Sequence, residues 1–185
     1  MRRSRLGLLL GTSDPPDTLH RMTPAAGTPL TVGAVAPDFS LTDQIGSVVR
    51  LSEAWAERPV LLVFFPFAFS GICTGELSEI REDLGAFDND EVQVFAVSCD
   101  PTFSLRAWAD KEAYFFPLLS DFWPHGEAAR GYGVFHDRGF AIRGTFLIDR
   151  GGIVRWSLVN GPGDRRDFSG CRDAVKDLAA SNDGA

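Results

Sequence analysis

The chain has 185 residues, 44% apolar and 23% charged, with a formal net charge of −7, which suits one globular domain with a sizeable core. These numbers exclude collagen-like, disordered and disulfide-scaffold classes, and the acidic balance argues against a nucleic-acid partner, which needs basic surface to neutralise phosphates. No apolar run reaches the roughly 20 residues of a membrane span, so no membrane association is expected.

In chain order, residues 1–30 stand apart. Pro15, Pro16, Pro24 and Pro29 fall there with little periodicity. Arg2, Arg3 and Arg5 precede Leu6, Leu8, Leu9 and Leu10, but the apolar stretch is too short for a signal peptide and no small-residue cleavage site follows. A disordered tail or a non-native extension is expected, with Met22 as an alternative start. Residues 31–181 are expected to form one α/β domain, and 182–185 to fray.

Phe39–Leu41 and Val48–Leu51 read as a short hairpin pair. Val60–Phe65 and Val92–Val97 are continuous apolar runs, the pattern of strands buried on both faces. Between them Cys73, Leu77, Ile80, Leu84 and Phe87 recur at steps of 4, 3, 4 and 3, a helical stripe. Strand, crossover helix and strand make a βαβ unit whose strands should run parallel. Thr102–Lys111 reads as a weaker helix and Glu127–Gly131 as a short one. Thr145–Ile148 and Ile153–Trp156 flank Asp149-Arg150-Gly151-Gly152, a hairpin signature. Asp164–Ala179 is a closing helix with Phe168, Cys171, Val175 and Leu178 on one stripe.

Three cysteines, Cys73, Cys99 and Cys171, contain no C-x-x-C, so neither a disulfide framework nor a zinc site is expected. His20, His125 and His136 show no metal-ligand spacing. A reducing, cytoplasmic setting with no metal or cofactor is the expectation. Cys171 sits within an apolar stripe and reads as core filler. Cys99 ends a buried strand, where sites gather in α/β folds, and a structural role competes with a chemical one. Cys73 falls in the first turn of its helix, just after Pro66-Phe67-Ala68-Phe69-Ser70-Gly71. Unpaired amides and the positive helix end favour a thiolate there, and the thiolate is the nucleophile. Its place on the apolar stripe points the sulfur inward, so a half-sheltered thiol at the mouth of a pocket is expected. Position alone leaves the reactive and inert readings level. Ser70 could cap the helix or offer its hydroxyl at the sulfur, and the sequence does not choose.

The wider segment, VLLVFFPFAFSGICTGEL, contains Pro66-x-x-x-Ser70-x-x-Cys73. It resembles the P-x-x-x-[T/S]-x-x-C motif of peroxiredoxins of the AhpC/TSA type, and most of all the one-cysteine branch related to alkyl hydroperoxide reductase E. SDFWPHG (120–126), YGVF (132–135), RGTFLIDR (143–150) and the opening VGAVAPDFSLTDQ (32–44) resemble that branch at matching order and spacing. The resemblance implies a thioredoxin-like fold with a central mixed sheet. It implies that Cys73 is the peroxide-attacking cysteine, that Pro66 shields it, and that Ser70 hydrogen-bonds the peroxide. Arg143 matches the family's active-site arginine, and Glu76 an acidic residue that positions such an arginine. A surface ion pair for Arg143 and a solvated helix face for Glu76 are the competing readings.

The implied reaction is displacement at oxygen, leaving a sulfenic acid on Cys73 and releasing water or an alcohol. Hydrogen peroxide, alkyl hydroperoxides and peroxynitrite are the expected substrates. Phe65, Phe67 and Phe69 offer an apolar wall for organic hydroperoxides, with core packing as the competing role. The position five residues after Cys73, where one subgroup carries a resolving cysteine, is Ser78. A one-cysteine cycle is therefore expected, with an external thiol such as mycothiol, or a glutaredoxin- or mycoredoxin-like partner, as reductant. A homodimer or larger ring is expected from the family. The alternatives are a redox sensor or chaperone on the same scaffold, and a two-cysteine enzyme using Cys99 or Cys171 to resolve. A disulfide exchanger would need C-x-x-C. A cysteine hydrolase would need a base such as His125 or His136 beside Cys73.

Overall fold

A computed structural model describes residues 27–89 and 91–182. The expectations for residues 1–26 and 183–185 lie outside that range. Leu30 is buried and its amide donates to the Tyr132 carbonyl at 3.3 Å, so the described chain is already packed on the body ahead of residue 31.

Two antiparallel strands, β1 (Ser40–Asp43) and β2 (Val48–Arg50), come first. The second does not run on through Leu51. That residue opens helix α1 (Leu51–Glu57), which the sequence reading missed, and Leu51 and Trp55 bury its inner face. Strand β3 (Val60–Phe64) and strand β4 (Gln93–Ser98) pair in parallel, as the βαβ pattern requires. Between them the helical stripe is broken. Helix α2 (Gly71–Glu82) ends at Asp83, whose φ −119° and ψ 39° are not helical, and α3 (Leu84–Phe87) resumes it for one turn.

Helix α4 (Thr102–Glu112) leads to β5 (Leu118–Ser120), which pairs parallel to β4 and antiparallel to β1. Helix α5 (Glu127–Gly131) lies as expected, and a small hairpin of β6 (Phe135–His136) and β7 (Phe140–Ala141) follows. Strands β8 (Arg143–Ile148) and β9 (Val154–Asn160) form the expected hairpin, and β8 adds antiparallel to β3. The closing helix α6 (Ser169–Asn182) begins five residues later than the stripe suggested, because residues 164–168 form the loop that feeds it. The result is a seven-stranded mixed sheet in the order β2-β1-β5-β4-β3-β8-β9.

The apolar run of β3 serves two cores at once. Leu61, Val63 and Phe65 face one layer with α2, α4 and α6; Val60, Leu62 and Phe64 face the other with α1 and α5. Period-two alternation is what lets six consecutive apolar residues, Val60 to Phe65, all be buried. Each such side chain contributes about 1.5–3 kcal/mol. The site described next sits where β3 hands over to α2, at the C-terminal end of the parallel strands.

Candidate active site

The loop after β3 is pinned to the end of β4. The Ala68 amide donates to Asp100 Oδ2 at 2.9 Å, and Ser98 Oγ donates to the same oxygen at 2.8 Å. Pro66 is buried and cannot extend the strand ladder. Phe69 sits at φ 63°, in the left-handed region, which costs a bulky residue about 1–3 kcal/mol. Its ring lies 6.2 Å from that of Trp108, with the Lys111 ammonium 5.8 Å over it.

Ser70 is the N-cap residue of α2, but its hydroxyl does not cap. It donates back to the Phe67 carbonyl at 3.1 Å. Its own carbonyl accepts the first helical bond, from Thr74 N at 2.9 Å. The first-turn amides of α2 are thus left without a side-chain cap, directed at whatever binds there.

Cys73 lies in that first turn, at the positive end of the helix. The expected half-sheltered thiol is corrected: Cys73 is 0% exposed. The stripe it shares with Leu77 and Ile80 carries it down onto the sheet, among Phe65, Leu77 and Trp108.

Behind it lies a buried charge cluster. Arg143 opens β8, is 2% exposed, and donates from Nη1 to Glu76 Oε2 at 2.5 Å. Its Nε donates to the Pro162 carbonyl at 3.2 Å. Glu76, one turn after Cys73, is completely buried, so neither the solvated-face reading nor the surface-pair reading of these residues holds.

Arg166, which the sequence reading missed, completes the cluster. Its Nη2 donates to Glu76 Oε2 and its backbone amide to Glu76 Oε1, both at 2.8 Å. Its Nη1 donates to the Phe64 carbonyl at 2.9 Å and to Thr145 Oγ1 at 3.0 Å. Burial pulls the Arg166 guanidinium below its ordinary pKa, while the hydrogen bond and charge of the Glu76 carboxylate hold it up. Two cations on one carboxylate leave an excess positive charge inside the fold. Nothing local marked Arg166. It follows Arg165, whose side chain is 61% exposed, in a Gly- and Pro-rich loop.

A pocket of about 250 Å³ opens here, lined by Pro66, Ser70, Arg143, Phe67, Ile72 and Phe140 among others. It brings together three of the five expected site residues, with Glu76 clamping Arg143 from behind and Cys73 next in sequence to the lining Ile72. Of the three phenylalanines expected as a wall, only Phe67 serves, packed 4.8 Å from Phe140. Phe65 is turned into the core against Trp108, 5.3 Å away, and Phe69 is half exposed outside the pocket. Two larger cavities, of about 660 and 360 Å³, lie elsewhere and are lined by no cysteine.

Burial pushes the Cys99 thiol up to about 12, helped by the Asp121 carboxylate, and pushes Cys171 up to about 12 as well. All three cysteines are unpaired. His125 bonds to the carbonyls of Gly139 at 2.7 Å and Phe122 at 3.3 Å, and His136 stacks 4.7 Å from Phe140, so neither lines the pocket as a base would. Among the described residues no cluster of His, Cys, Asp and Glu is able to hold a metal ion.

Known proteins resemble this chain in sequence and in fold. The model of the AhpC/TSA family matches residues 32–157. Alkyl hydroperoxide reductase E of Mycobacterium tuberculosis is 47% identical over 152 residues, covering 82% of this chain and 99% of that protein. Among solved structures, the reduced 2-Cys peroxiredoxin of Plasmodium vivax superposes with a TM-score of 0.74 at 26% identity, covering 84% of this chain and 86% of that one. Peroxidoxin BcpB of Mycobacterium tuberculosis superposes with a TM-score of 0.70 at 29% identity, covering 80% and 96%. The shared architecture is the thioredoxin-like fold.

Proposed function

This chain belongs to the AhpC/TSA family of peroxiredoxins and is a thiol-dependent peroxidase, and from that premise we propose that Cys73 is its attacking thiolate and that an external thiol recycles it. The sulfur attacks one peroxide oxygen: an S–O bond forms, the O–O bond breaks, and the leaving oxygen departs as water or alcohol once it takes a proton. Arg143 reaches the pocket wall while held by Glu76. From there its guanidinium stabilises the charge that grows on the leaving oxygen. The uncapped amides of α2 and the Ser70 hydroxyl align the O–O bond. Pro66 keeps water from the sulfur.

This reading rests on one arrangement: a cysteine in the first turn of α2, next to a pocket that Pro66, Ser70 and Arg143 line together. Phe67, Ile72 and Phe140 make the rest of that pocket largely apolar, which suits alkyl hydroperoxides beside hydrogen peroxide. Cys99 and Cys171, with thiols pushed up to about 12, are poor resolving thiolates, which supports the one-cysteine cycle. Mycothiol or a glutaredoxin-like protein fits the reductant's role. Unpaired cysteines suit a reducing, cytoplasmic setting. Exposed rings at Phe103, Phe115, Phe122 and Trp123 suit burial against a second copy of the chain.

Cys73→Ser tests the assignment. The parent should gain one oxygen atom on Cys73 after one equivalent of peroxide, seen by intact mass with a sulfenic-acid trap, and the variant should show neither that adduct nor peroxide turnover. Turnover in the variant would remove Cys73 from the mechanism. A parent that is oxidised once but shows no steady-state peroxide consumption with any added thiol would favour the redox-sensor reading.

A further inference from the structure

The pocket contains a hydroxyl whose proton is already committed. Ser70 lines the pocket, and its Oγ donates to the Phe67 carbonyl at 3.1 Å. A serine hydroxyl has one hydrogen to give and two lone pairs. Ser70 therefore meets a ligand in the pocket as an acceptor. Hydrogen peroxide and alkyl hydroperoxides each carry an O–H that donates to such an oxygen.

The Phe67 carbonyl is held in turn from the end of β4. It belongs to the same peptide unit as the Ala68 amide, which donates to Asp100 Oδ2 at 2.9 Å across 32 positions of sequence. A planar trans peptide points its C=O and N–H in opposite directions, so fixing one fixes the other. Asp100 is itself gripped. Ser98 Oγ donates to the same Oδ2 at 2.8 Å, the Asp100 amide donates back to Ser98 Oγ at 3.2 Å, and Ser120 Oγ donates to the Asp100 carbonyl at 2.7 Å. Ser98 and Ser120 are buried partners on the parallel strands β4 and β5. The residue after Ala68 is Phe69, at φ 63°, a conformation that persists only where its surroundings over-determine it. One line of hydrogen bonds thus runs from the sheet through the Phe67–Ala68 peptide to the hydroxyl in the pocket, and each bond in such a chain polarises the next.

We propose that Asp100 is a positioning residue of peroxide oxidation: through the Phe67–Ala68 peptide it keeps the Ser70 proton turned away from the pocket, so that Ser70 accepts the peroxide's O–H and sets the O–O bond in line with the Cys73 sulfur. The proposal rests on Cys73 being the attacking thiol and on Ser70 meeting the peroxide. Asp100 makes and breaks no bond in the reaction, and it lies outside the pocket lining. Without its oxygen the Phe67–Ala68 peptide is free to tilt, the Ser70 proton swings toward the pocket, and the peroxide O–H loses its acceptor. The role needs an acceptor at Oδ2 rather than a negative charge, because both donors meet that one oxygen.

The test is a double-mutant cycle on the second-order rate of oxidation by hydrogen peroxide, measured in stopped flow. Asp100→Ala and Ser70→Ala should each slow oxidation roughly tenfold, the loss of one hydrogen bond, and the double variant should be no slower than the slower single one. Alkylation of Cys73 by iodoacetamide involves no O–O bond to align and should keep its parental rate throughout. Asp100→Asn retains an oxygen for both donors and should restore most of the oxidation rate. Where Asp100→Ala does not fold, Asp100→Glu, which displaces the carboxylate by one methylene, takes its place in the cycle. Additive losses, a slow Asp100→Asn, alkylation falling in step with oxidation, or a parental rate in Asp100→Ala beside a slow Ser70→Ala would each overturn the relay while Cys73 stays in place. A parental rate in Ser70→Ala would overturn the relay together with the role of Ser70. A parent that forms no sulfenic acid on Cys73 would overturn the assignment beneath both.

Discussion

Glu76 and Arg166 hold each other by both ends: one carboxylate oxygen accepts the arginine's backbone amide and the other its guanidinium, each at 2.8 Å, across 90 positions of sequence. The same Oε2 also accepts Arg143. One side chain on α2 thereby fixes the start of β8 and the loop before α6. The cluster is structural and electrostatic at once, because it orients a guanidinium in the pocket wall and leaves positive charge inside the fold.

Glu76→Gln should be costly on both counts. It leaves two guanidiniums buried without a counter-charge, and breaking such a cluster costs about 3–5 kcal/mol. The urea midpoint should fall accordingly. Where the variant remains folded, single-turnover oxidation should slow as well, since Arg143 loses its clamp. A variant of parental stability would mean that the cluster is not dry.

Arg143→Lys keeps a positive charge but loses the fork that reaches Glu76, Pro162 and the pocket together. Peroxide oxidation should drop roughly 100-fold, the usual loss when one donor to a developing oxyanion is removed. Stopped-flow oxidation with hydrogen peroxide measures it. A change under threefold would mean that Arg143 does not meet the reacting oxygens.

Replacing Cys99 and Cys171 together by Ala should spare both half-reactions. Neither thiol ionises appreciably at neutral pH, with values pushed up to about 12. The trapped sulfenic acid and the steady-state rate with an added thiol should match the parent. Oxidation that proceeds while recycling stops would make one of the two a resolving thiol.

Stability should depend on pH through Asp121. This carboxyl is fully buried, and burial pushes it up to about 6, against amide bonds from Ala129 at 2.9 Å and Ala128 at 3.1 Å that pull it down. Its folded value lies above its unfolded one, so its contribution is complete at acid pH and is lost as pH rises from the ordinary carboxylate range through about 6. At roughly 1.4 kcal/mol per pKa unit, the loss is about 3 kcal/mol at most. Asp121→Asn cannot ionise, so its urea midpoint should fall less than the parent's between pH 4 and pH 7. Parallel profiles would place the titration elsewhere.

Much of this was legible in the residues themselves. The apolar runs of β3 and β4 and the stripe on α2 follow from side-chain periodicity, which any local window contains. The spacing Pro66, Ser70, Cys73 is equally local, since a strand end, a loop and a first helical turn are consecutive. Helix α1 carries just Leu51 and Trp55 as buried anchors, and β5, β6 and β7 have three residues or fewer, too short to show a period. Tertiary packing alone decided the rest. It buried Cys73 completely, turned Glu76 inward, set Arg166 apart from its neighbour Arg165 and brought Tyr114 to Thr74. Those contacts join positions 40 to 90 residues apart. A charge or hydroxyl in a loop has no periodic signature; its role is fixed by which distant partner can satisfy it once both have left water.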